Sequence, residues 1–276
     1  MKRFYPLLIF IILLAGISVY YNYHEIAIKR PQSIHRWRQC DCASIALNYS
    51  QGGMKFFTPE THNLTADGGT SGKNCTSEIP ILYYTIGFLY KVFGYHEYIY
   101  RIFNTLLFFL GLFFLFKLLQ YLLKDAIWAL LITFLFFTSP VLVYYGNNFL
   151  SNSSSLAFAI AGWYYFTRFF SEHKNKWFFS SIVFFLLAGA FRVTALFSAF
   201  AVAGLFALEL FGIVKFNNDR KIFSRPFRDL LVILSIFLVI GLWVVYAHWF
   251  NLMHDSTYFS TTILPIWDLD LSLIHI

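Results

Sequence analysis

Long apolar runs separated by short polar links dominate the chain. Several of them reach the length of about 18 residues that a helix needs to cross the hydrocarbon layer of a membrane. We predict seven spans: Phe4–Tyr21, Tyr98–Leu122, Ala126–Tyr145, Ser154–Phe170, Trp177–Ala190, Val193–Gly212 and Leu230–Phe250. The pattern therefore predicts an all-α, polytopic helical bundle in a membrane.

The charges in the links predict the orientation of the bundle. Lys124 and Asp125 lie in the link after the second span, basic residues predominate in the links after the fourth and sixth spans, and Lys2 and Arg3 precede the first span. The link Tyr145–Ser153 has no Lys or Arg. Because basic residues in short loops stay in the cytoplasm, the N-terminus and the three basic links are predicted to be cytoplasmic. The long segment Asn22–Glu97 is then on the outer face.

One apolar stretch in the outer segment is too short to be a span. Pro80–Gly94 is aromatic and carries Lys91. We predict an amphipathic helix that lies along the membrane interface, with Tyr83, Tyr84 and Tyr90 in the headgroup layer. Outer segment and spans together are treated as one domain, residues 1–276.

The three cysteines allow two alternatives, a disulfide or three free thiols. Cys40, Cys42 and Cys75 all lie in the outer segment, which is consistent with an oxidising compartment. Cys75 could form a disulfide with either of the other two, or all three could be free thiols.

The composition excludes other classes of protein. Hydrophobic residues make up 58% of the chain and charged residues 13%, whereas a soluble domain has about 25% charged residues. The net charge of +7 comes from bases beside apolar runs, which indicates membrane topology and not nucleic-acid binding. The histidines of the outer segment match no zinc-binding spacing. No metal and no cofactor is predicted.

The first candidate for chemistry is an acidic residue that follows two arginines. Asp41 follows Arg36 and Arg38 directly after the first span. A carboxylate there can act as a general base, or it can cap a helix that starts at Cys42. The two arginines can bind a phosphate through their forked donors, or they can contact anionic lipid headgroups.

Two further charged residues are candidates at the outer face. Glu78 precedes Pro80, where it could orient an acceptor or an arginine, or cap the interfacial helix. Arg192 lies between the fifth and sixth spans. A cation near the bilayer indicates function by default, here contact with a lipid phosphate, although it can also extend to the headgroups for solvation.

A resemblance connects these residues. In order and spacing, five motifs resemble membrane-embedded glycosyltransferases with the C-type fold, in the branch of protein O-mannosyltransferases, lipid A aminoarabinose transferases and bacterial dolichyl-phosphate-mannose transferase-like proteins. The motifs are Trp37-Arg38-Gln39-Cys40-Asp41, Gly53-Met54-Lys55-Phe56-Phe57-x-Pro59, Ser77-Glu78-Ile79-Pro80-Ile81-Leu82-Tyr83-Tyr84, Phe93-Gly94-x-x-Glu97-x-x-x-Arg101 and Tyr258-Phe259-x-x-x-x-x-Pro265-Ile266-Trp267.

The resemblance implies a reaction and its partners. A sugar is transferred, with inversion, from a polyprenyl-phosphate donor to a glycan, lipid or protein acceptor at the outer face of a bacterial inner membrane. Asp41 matches the family's active-site acid in the first outer loop. Such relatives continue for about as many residues again, so the chain is expected to be the N-terminal part of a longer protein.

The chain departs from the family pattern at two positions. Relatives often have an arginine where Leu47 stands, and an aspartate where Asn152 follows Phe149-Leu150-Ser151. Asn152 therefore enters only as a candidate substrate contact. Two other functions compete with sugar transfer. One is a transporter or lipid flippase, which calls for broken helices or charges near the membrane centre, and the other is a non-catalytic membrane scaffold.

Overall fold

The computed structural model describes residues 5–64, 71–216 and 221–256. These residues form α-helices and short 3₁₀ turns, with no strand among them, and the prediction of an all-α membrane bundle is confirmed. The helices are α1 (Tyr5–Tyr20), α2 (Tyr23–Ala27), α3 (Arg36–Gln51), α4 (Ile81–Phe93), α5 (Glu97–Leu123), α6 (Ala126–Phe137), α7 (Pro140–Tyr145), α8 (Asn152–Glu172), α9 (Asn175–Phe191), α10 (Leu196–Leu210) and α11 (Pro226–Met253).

Three helices of the described residues are long and apolar enough to cross a membrane. They are α5, α11 and the 18-residue helix that α10 forms with the preceding 3₁₀ turn. Helices α1, α4, α6 and α9 are apolar but shorter. Helix α8 has 21 residues and begins with the polar run Asn152–Ser155. The membrane class is thus established, while the number of seven spans stays a prediction.

The predicted third span is not one continuous helix. Helix α6 ends at Phe137, and the short helix α7 begins at Pro140. Proline has no N–H for the helical hydrogen bond, and its ring pushes the preceding residue into extended conformation. Ser139 has φ −56° and ψ 129° accordingly. The predicted span Ala126–Tyr145 is therefore divided between two helices, and its crossing of the membrane stays a prediction.

Small residues allow the central helices to approach closely. Helix α8 packs against both α5 and α9. A Cβ atom on Gly111 of α5 would lie 2.6 Å from the Cα of Ala157 in α8. In a membrane, helix association depends on such close packing because lipid is as apolar as the side chains. The pairing of α5 with α8 therefore depends on the absence of a side chain at position 111.

Helix α4 was predicted correctly, but the environment of its tyrosines was not. Its bounds, Ile81–Phe93, lie within the predicted Pro80–Gly94. Tyr83 and Tyr90 are 2% and 4% exposed, because they belong to the face that packs on α3. The prediction that these two rings occupy the headgroup layer was wrong. The opposite face, with Phe88 and Val92, is the exposed one.

A glycine also sets the distance between α3 and α4. A Cβ atom on Gly87 would lie 2.7 Å from the Cβ of Tyr49 and 2.8 Å from the carbonyl oxygen of Ala46. We expect Gly87→Ala to lower the free energy of unfolding by about 1–3 kcal/mol, since the crowded backbone must shift. Thermal unfolding in detergent measures the effect. Gly241→Ala is the matched control, because a Cβ there meets nothing within 4 Å. Equal stability of the two variants would contradict this close packing.

A buried arginine ties the outer segment to the bundle. Arg101 in α5 is 2% exposed. Its guanidinium donates to the carbonyl oxygens of Lys29, Arg30 and Asn147 at 2.8, 3.0 and 2.6 Å. These bonds hold the chain before α3 and the chain before α8 at the same end of the bundle, where the candidate residues lie.

Candidate functional site

Glu78 is the centre of a charged cluster at the end of the bundle where α3 and α4 pack. It is 5% exposed. Arg192 donates to its Oε1 at 2.6 Å, and Arg38 lies 3.8 Å from its Oε2. Tyr83 and Ser151 donate to the same Oε2 at 3.1 and 3.4 Å. The structure thus brings together three of the predicted site residues, Arg38, Glu78 and Arg192. Together with Asp41, they are called the Glu78 cluster below.

The backbone that carries Glu78 is held from two sides. The indole N–H of Trp243 in α11 donates to the carbonyl oxygens of Thr76 and Glu78 at 3.1 and 3.0 Å. The amide N–H of Ile79 donates to the carbonyl oxygen of Ala190 in α9 at 2.8 Å. The carboxylate therefore has a fixed position before any ligand arrives, which favours pre-organised chemistry.

The acid and the arginine of α3 share one face of that helix. Asp41 follows Arg38 by three residues, and residues at this spacing are neighbours on a helix surface. Asp41 is 6% exposed. Helix α3 begins at Arg36, after His35 with φ 56°, so Asp41 is its sixth residue. A capping role for Asp41 at a helix starting with Cys42 was therefore the wrong alternative.

The surrounding acids keep Arg38 charged. Burial alone would lower the pKa of its guanidinium, but Cys42, Tyr83, Glu78 and Asp41 together raise that pKa above its usual value. Burial raises the pKa of Tyr83 well above its usual range. Tyr83 is thus a neutral hydroxyl that donates to Glu78, and Arg38 is a permanent cation beside two carboxylates.

Two predicted site residues, Arg36 and Asn152, form no hydrogen bond with Glu78. Arg36 is exposed on the opposite side of α3. Asn152 is the half-buried first residue of α8, and within the described residues its side chain forms no hydrogen bond. The preceding residue, Ser151, contacts Glu78 instead. Sequence reasoning missed the contacts of Ser151 and Tyr83 with Glu78, although Tyr83 lies in a motif quoted for the resemblance and Ser151 in a segment quoted as a departure from it.

The cysteines form no disulfide in the structure. All three are free thiols: Cys40 is exposed, and Cys42 and Cys75 are buried. Cys42 packs in the core with Tyr83, whereas Cys75 packs against Trp243 of α11. The bridge that the sequence left open is therefore not formed, because the two buried thiols belong to different packing clusters.

Thiol reactivity checks this assignment. Burial raises the pKa of Cys42 to about 11 and that of Cys75 to about 12. Because the thiolate is the reactive form, only Cys40 should react with a maleimide at pH 8. Mass spectrometry of the folded protein should find one label, and the protein in SDS should carry three. Rapid labelling of Cys75 before denaturation would contradict the packing described here.

The cluster can hold an anion at its exposed edge. It combines two guanidiniums with Glu78, and the side chain of Arg192 is 39% exposed against 19% for Arg38. Arg192 uses one nitrogen on Glu78, which leaves further donors of its fork toward the surface. Among the described residues, no group of three or more His, Cys, Asp or Glu side chains is arranged to hold a metal.

Comparison with known proteins gave no relative: no family model, curated protein or solved structure matches the chain. The fold and the apolar helices define the class, which is an all-α helical membrane protein.

Proposed function

We propose that this protein is an inverting glycosyltransferase that moves a sugar from a polyprenyl-phosphate donor to an acceptor at the outer membrane face. One observation carries the proposal. Arg38 and Arg192 converge on the buried carboxylate of Glu78, and Asp41 lies one helical turn from Arg38. A leaving phosphate and an acceptor hydroxyl need cations and a carboxylate close together, and this cluster supplies both.

The arginines fit the role of phosphate ligands. When the bond between the anomeric carbon and the phosphate oxygen breaks, negative charge develops on the phosphate. Forked guanidinium donors stabilise that charge without a metal. Glu78 orients both guanidiniums, and the exposed part of Arg192 offers the first contact for a donor that arrives from the lipid.

Asp41 fits the role of general base. An acceptor hydroxyl loses its proton as its oxygen attacks the anomeric carbon, and a carboxylate at hydrogen-bond distance accepts that proton. A single attack on the face opposite the phosphate inverts the configuration of that carbon. The leaving polyprenyl phosphate stays in the membrane, and the sugar passes to a glycan, lipid or protein acceptor.

The proposal also includes a location. Basic links on one side and a long outer segment on the other are typical of a bacterial inner-membrane protein whose active segment faces the periplasm. Arg38 and Asp41 lie in the first half of α3, and Glu78 and Arg192 lie in links next to helices, so none of the cluster lies within the long apolar helices. This placement favours transfer over transport, since transporters use polar groups near the membrane centre.

Donor binding is the experiment that tests this site. We expect Arg38→Ala to weaken the binding of a polyprenyl-phosphate hexose or pentose by about tenfold or more, because a charge-assisted phosphate contact is lost. Binding is measured on the protein in proteoliposomes with a radiolabelled donor, together with the release of polyprenyl phosphate. Lys91→Ala is the control: it removes an exposed cation of α4 that lies outside the cluster.

The two variants separate the alternatives. Donor binding that is equally weakened in both variants indicates only general attraction to the membrane surface and contradicts the site. Wild-type protein that moves the intact lipid-linked sugar across the bilayer, without releasing polyprenyl phosphate, supports a flippase instead.

A further inference from the structure

A polar cleft lies between α5 and α8, at the end of the bundle opposite the Glu78 cluster. Its volume is about 380 Å³, and its lining includes Lys117, Gln120, Tyr121, Tyr164 and Arg168. The first three share one face of α5 because they are three and four residues apart, and the last two are one turn apart on α8. All five residues are half-buried. Two cations, an amide and two phenol groups therefore surround one space.

The cleft is separate from the Glu78 cluster. Ser151, which contacts Glu78, immediately precedes α8, and Arg168 lies 17 residues farther along the chain. At roughly 1.5 Å per residue of helix, the two positions are about 25 Å apart. The predicted topology puts the cleft on the cytoplasmic side. A ligand of this cleft is therefore distinct from the sugar donor.

Lys117 is a cation inside a long apolar helix. It lies six residues before the end of α5, which is long and apolar enough to cross a membrane. A charged residue within such a helix is costly and indicates function by default. Its Nζ donates to Oε1 of Gln120 at 3.1 Å, and the residue is half-buried, whereas Lys124 after the helix is exposed. Gln120 thus helps to hold the ammonium group at the cleft.

Arg168 is held in a fixed orientation. Its guanidinium carbon lies 3.8 Å from the centre of the Trp177 ring. Its Nε and Nη2 donate to Oε1 of Glu172 at 2.8 and 2.5 Å. Oε2 of Glu172 accepts from Lys174 and from the indole N–H of Trp177, each at 3.0 Å. Glu172 does not use Nη1 of Arg168, and a fork fixed in this way loses little entropy when it binds an oxyanion.

Positive charge exceeds negative charge at this end of the bundle. Within residues 117–176, the basic residues are Lys117, Lys124, Arg168, Lys174 and Lys176, and the acidic residues are Asp125 and Glu172. Asp125 caps α6 by accepting from the backbone N–H groups of Ile127 and Trp128. Glu172 is shared by Arg168 and Lys174. The excess of positive charge favours an anionic ligand.

An exposed apolar stripe of α5 leads from the cleft toward the middle of the helix. Leu106 and Leu110 are 58% and 38% exposed. They lie eleven and seven residues before Lys117, and these spacings put them on the same face of the helix as Lys117. Acyl chains can pack on this stripe, whereas a free phosphate compound makes no use of it. The stripe therefore favours a lipid as the source of the anion.

We propose that this cleft binds the headgroup of an anionic phospholipid. The phosphate lies between Lys117 and Arg168, and the hydroxyls of Tyr121 and Tyr164 supply further donors. The acyl chains follow the apolar stripe of α5, so the lipid contacts both α5 and α8. Basic pockets between membrane helices on the cytoplasmic side are typical sites for such headgroups. The site does not depend on the proposed sugar transfer.

Lipid binding by variants of Lys117 tests the proposal. The protein in detergent is titrated with phosphatidylglycerol or phosphatidylcholine, and bound lipid is counted by native mass spectrometry. Salt at about 0.15 M screens attraction to exposed charges. We expect saturable binding of phosphatidylglycerol, at least about tenfold tighter than that of phosphatidylcholine. Lys117→Met should lower the affinity for phosphatidylglycerol by about tenfold, because a charge-assisted contact is lost, and Lys117→Arg should retain it.

Lys124→Met is the matched control. Lys124 is an exposed cation directly after the same helix and is not part of the cleft lining. Its replacement should leave the affinity for phosphatidylglycerol within about twofold of wild type, since exposed charges contribute little. Equal losses in Lys117→Met and Lys124→Met indicate general charge attraction and overturn the proposal. Phosphatidylcholine that binds as tightly as phosphatidylglycerol also overturns it.

A second variant keeps the test decisive if Lys117→Met does not fold. Arg168→Gln removes the other cation, and it should lower the affinity for phosphatidylglycerol by a similar factor. Unchanged affinity in Arg168→Gln overturns the assignment. A last arm replaces the lipid by soluble glycerol phosphate, which should bind at least about tenfold more weakly because it lacks acyl chains. Equal affinity for the soluble ester means a free phosphate compound and overturns the lipid assignment.

Discussion

Replacing Asp41 by Asn is expected to lower sugar transfer by about a hundredfold or more if proton abstraction limits the rate. Asn keeps the size and most of the hydrogen-bonding capacity of the side chain but removes its charge and basicity. Because Asp41 is buried inside α3 and not at its start, the substitution leaves the helix boundary unchanged. The rate of transfer from a labelled donor is the measurement.

Donor affinity is the control for this variant. The Asp41→Asn protein should bind the polyprenyl-phosphate donor about as well as wild type, since the phosphate ligands Arg38 and Arg192 are intact. A loss of rate together with intact donor binding separates a chemical role from a structural one. Near-normal turnover in Asp41→Asn contradicts the general-base assignment.

Replacing Arg101 by Met is expected to lower the free energy of unfolding by at least about 3 kcal/mol, since hydrogen bonds to charged groups contribute about 1.5–3 kcal/mol each. Three carbonyl oxygens, of Lys29, Arg30 and Asn147, lose their donor at once. The methionine side chain fills the space of the apolar part of the arginine, so packing changes little. The loss of unfolding free energy therefore reports on the hydrogen bonds. Unfolding by heat or denaturant in detergent measures it.

The control for Arg101→Met is Arg36→Met. Arg36 is exposed on α3, and surface substitutions generally change stability by less than about 0.5 kcal/mol. If Arg101→Met unfolds at the same temperature as Arg36→Met, the outer segment is not held to the bundle through Arg101.

The helices of the bundle could be predicted from the apolar runs because burial in lipid requires continuous apolar surface. The prediction lacked detail where a local backbone effect intervened. Pro140 divides the third apolar run into two helices, and composition alone treats Pro140 as one more apolar residue. Pro140 itself was the available signal, since proline within a helical pattern ends or bends the helix.

Only the charged residues of the candidate site could be predicted from the sequence. Arg38, Glu78 and Arg192 could be named from the sequence because charges beside apolar runs are uncommon and costly. Their convergence on Glu78 could not be predicted. Arg192 lies 114 residues from Glu78 in the sequence, and the pairing depends on how α9 packs against the outer segment. Ser151 was missed for the same reason.

The burial of neutral polar residues could not be predicted. Gln39 lies in a motif quoted for the resemblance, but nothing in the sequence indicates that the fold buries it. Trp243 lies within the last predicted span, and nothing in the sequence indicates that it donates to the backbone at Glu78. Such roles depend on tertiary contacts, which periodicity and composition do not contain.

The most direct test of the central claim is whether the protein breaks the bond between the sugar and the phosphate of the donor. The protein in proteoliposomes receives a polyprenyl-phosphate sugar labelled at the anomeric carbon, with a membrane glycan, lipid and protein fraction as acceptor. We expect wild type to transfer the label to acceptor with inverted anomeric configuration and to release polyprenyl phosphate, and Asp41→Asn to do neither at a comparable rate. Retention of configuration, or wild-type protein that leaves the labelled sugar on its lipid phosphate, would contradict the account.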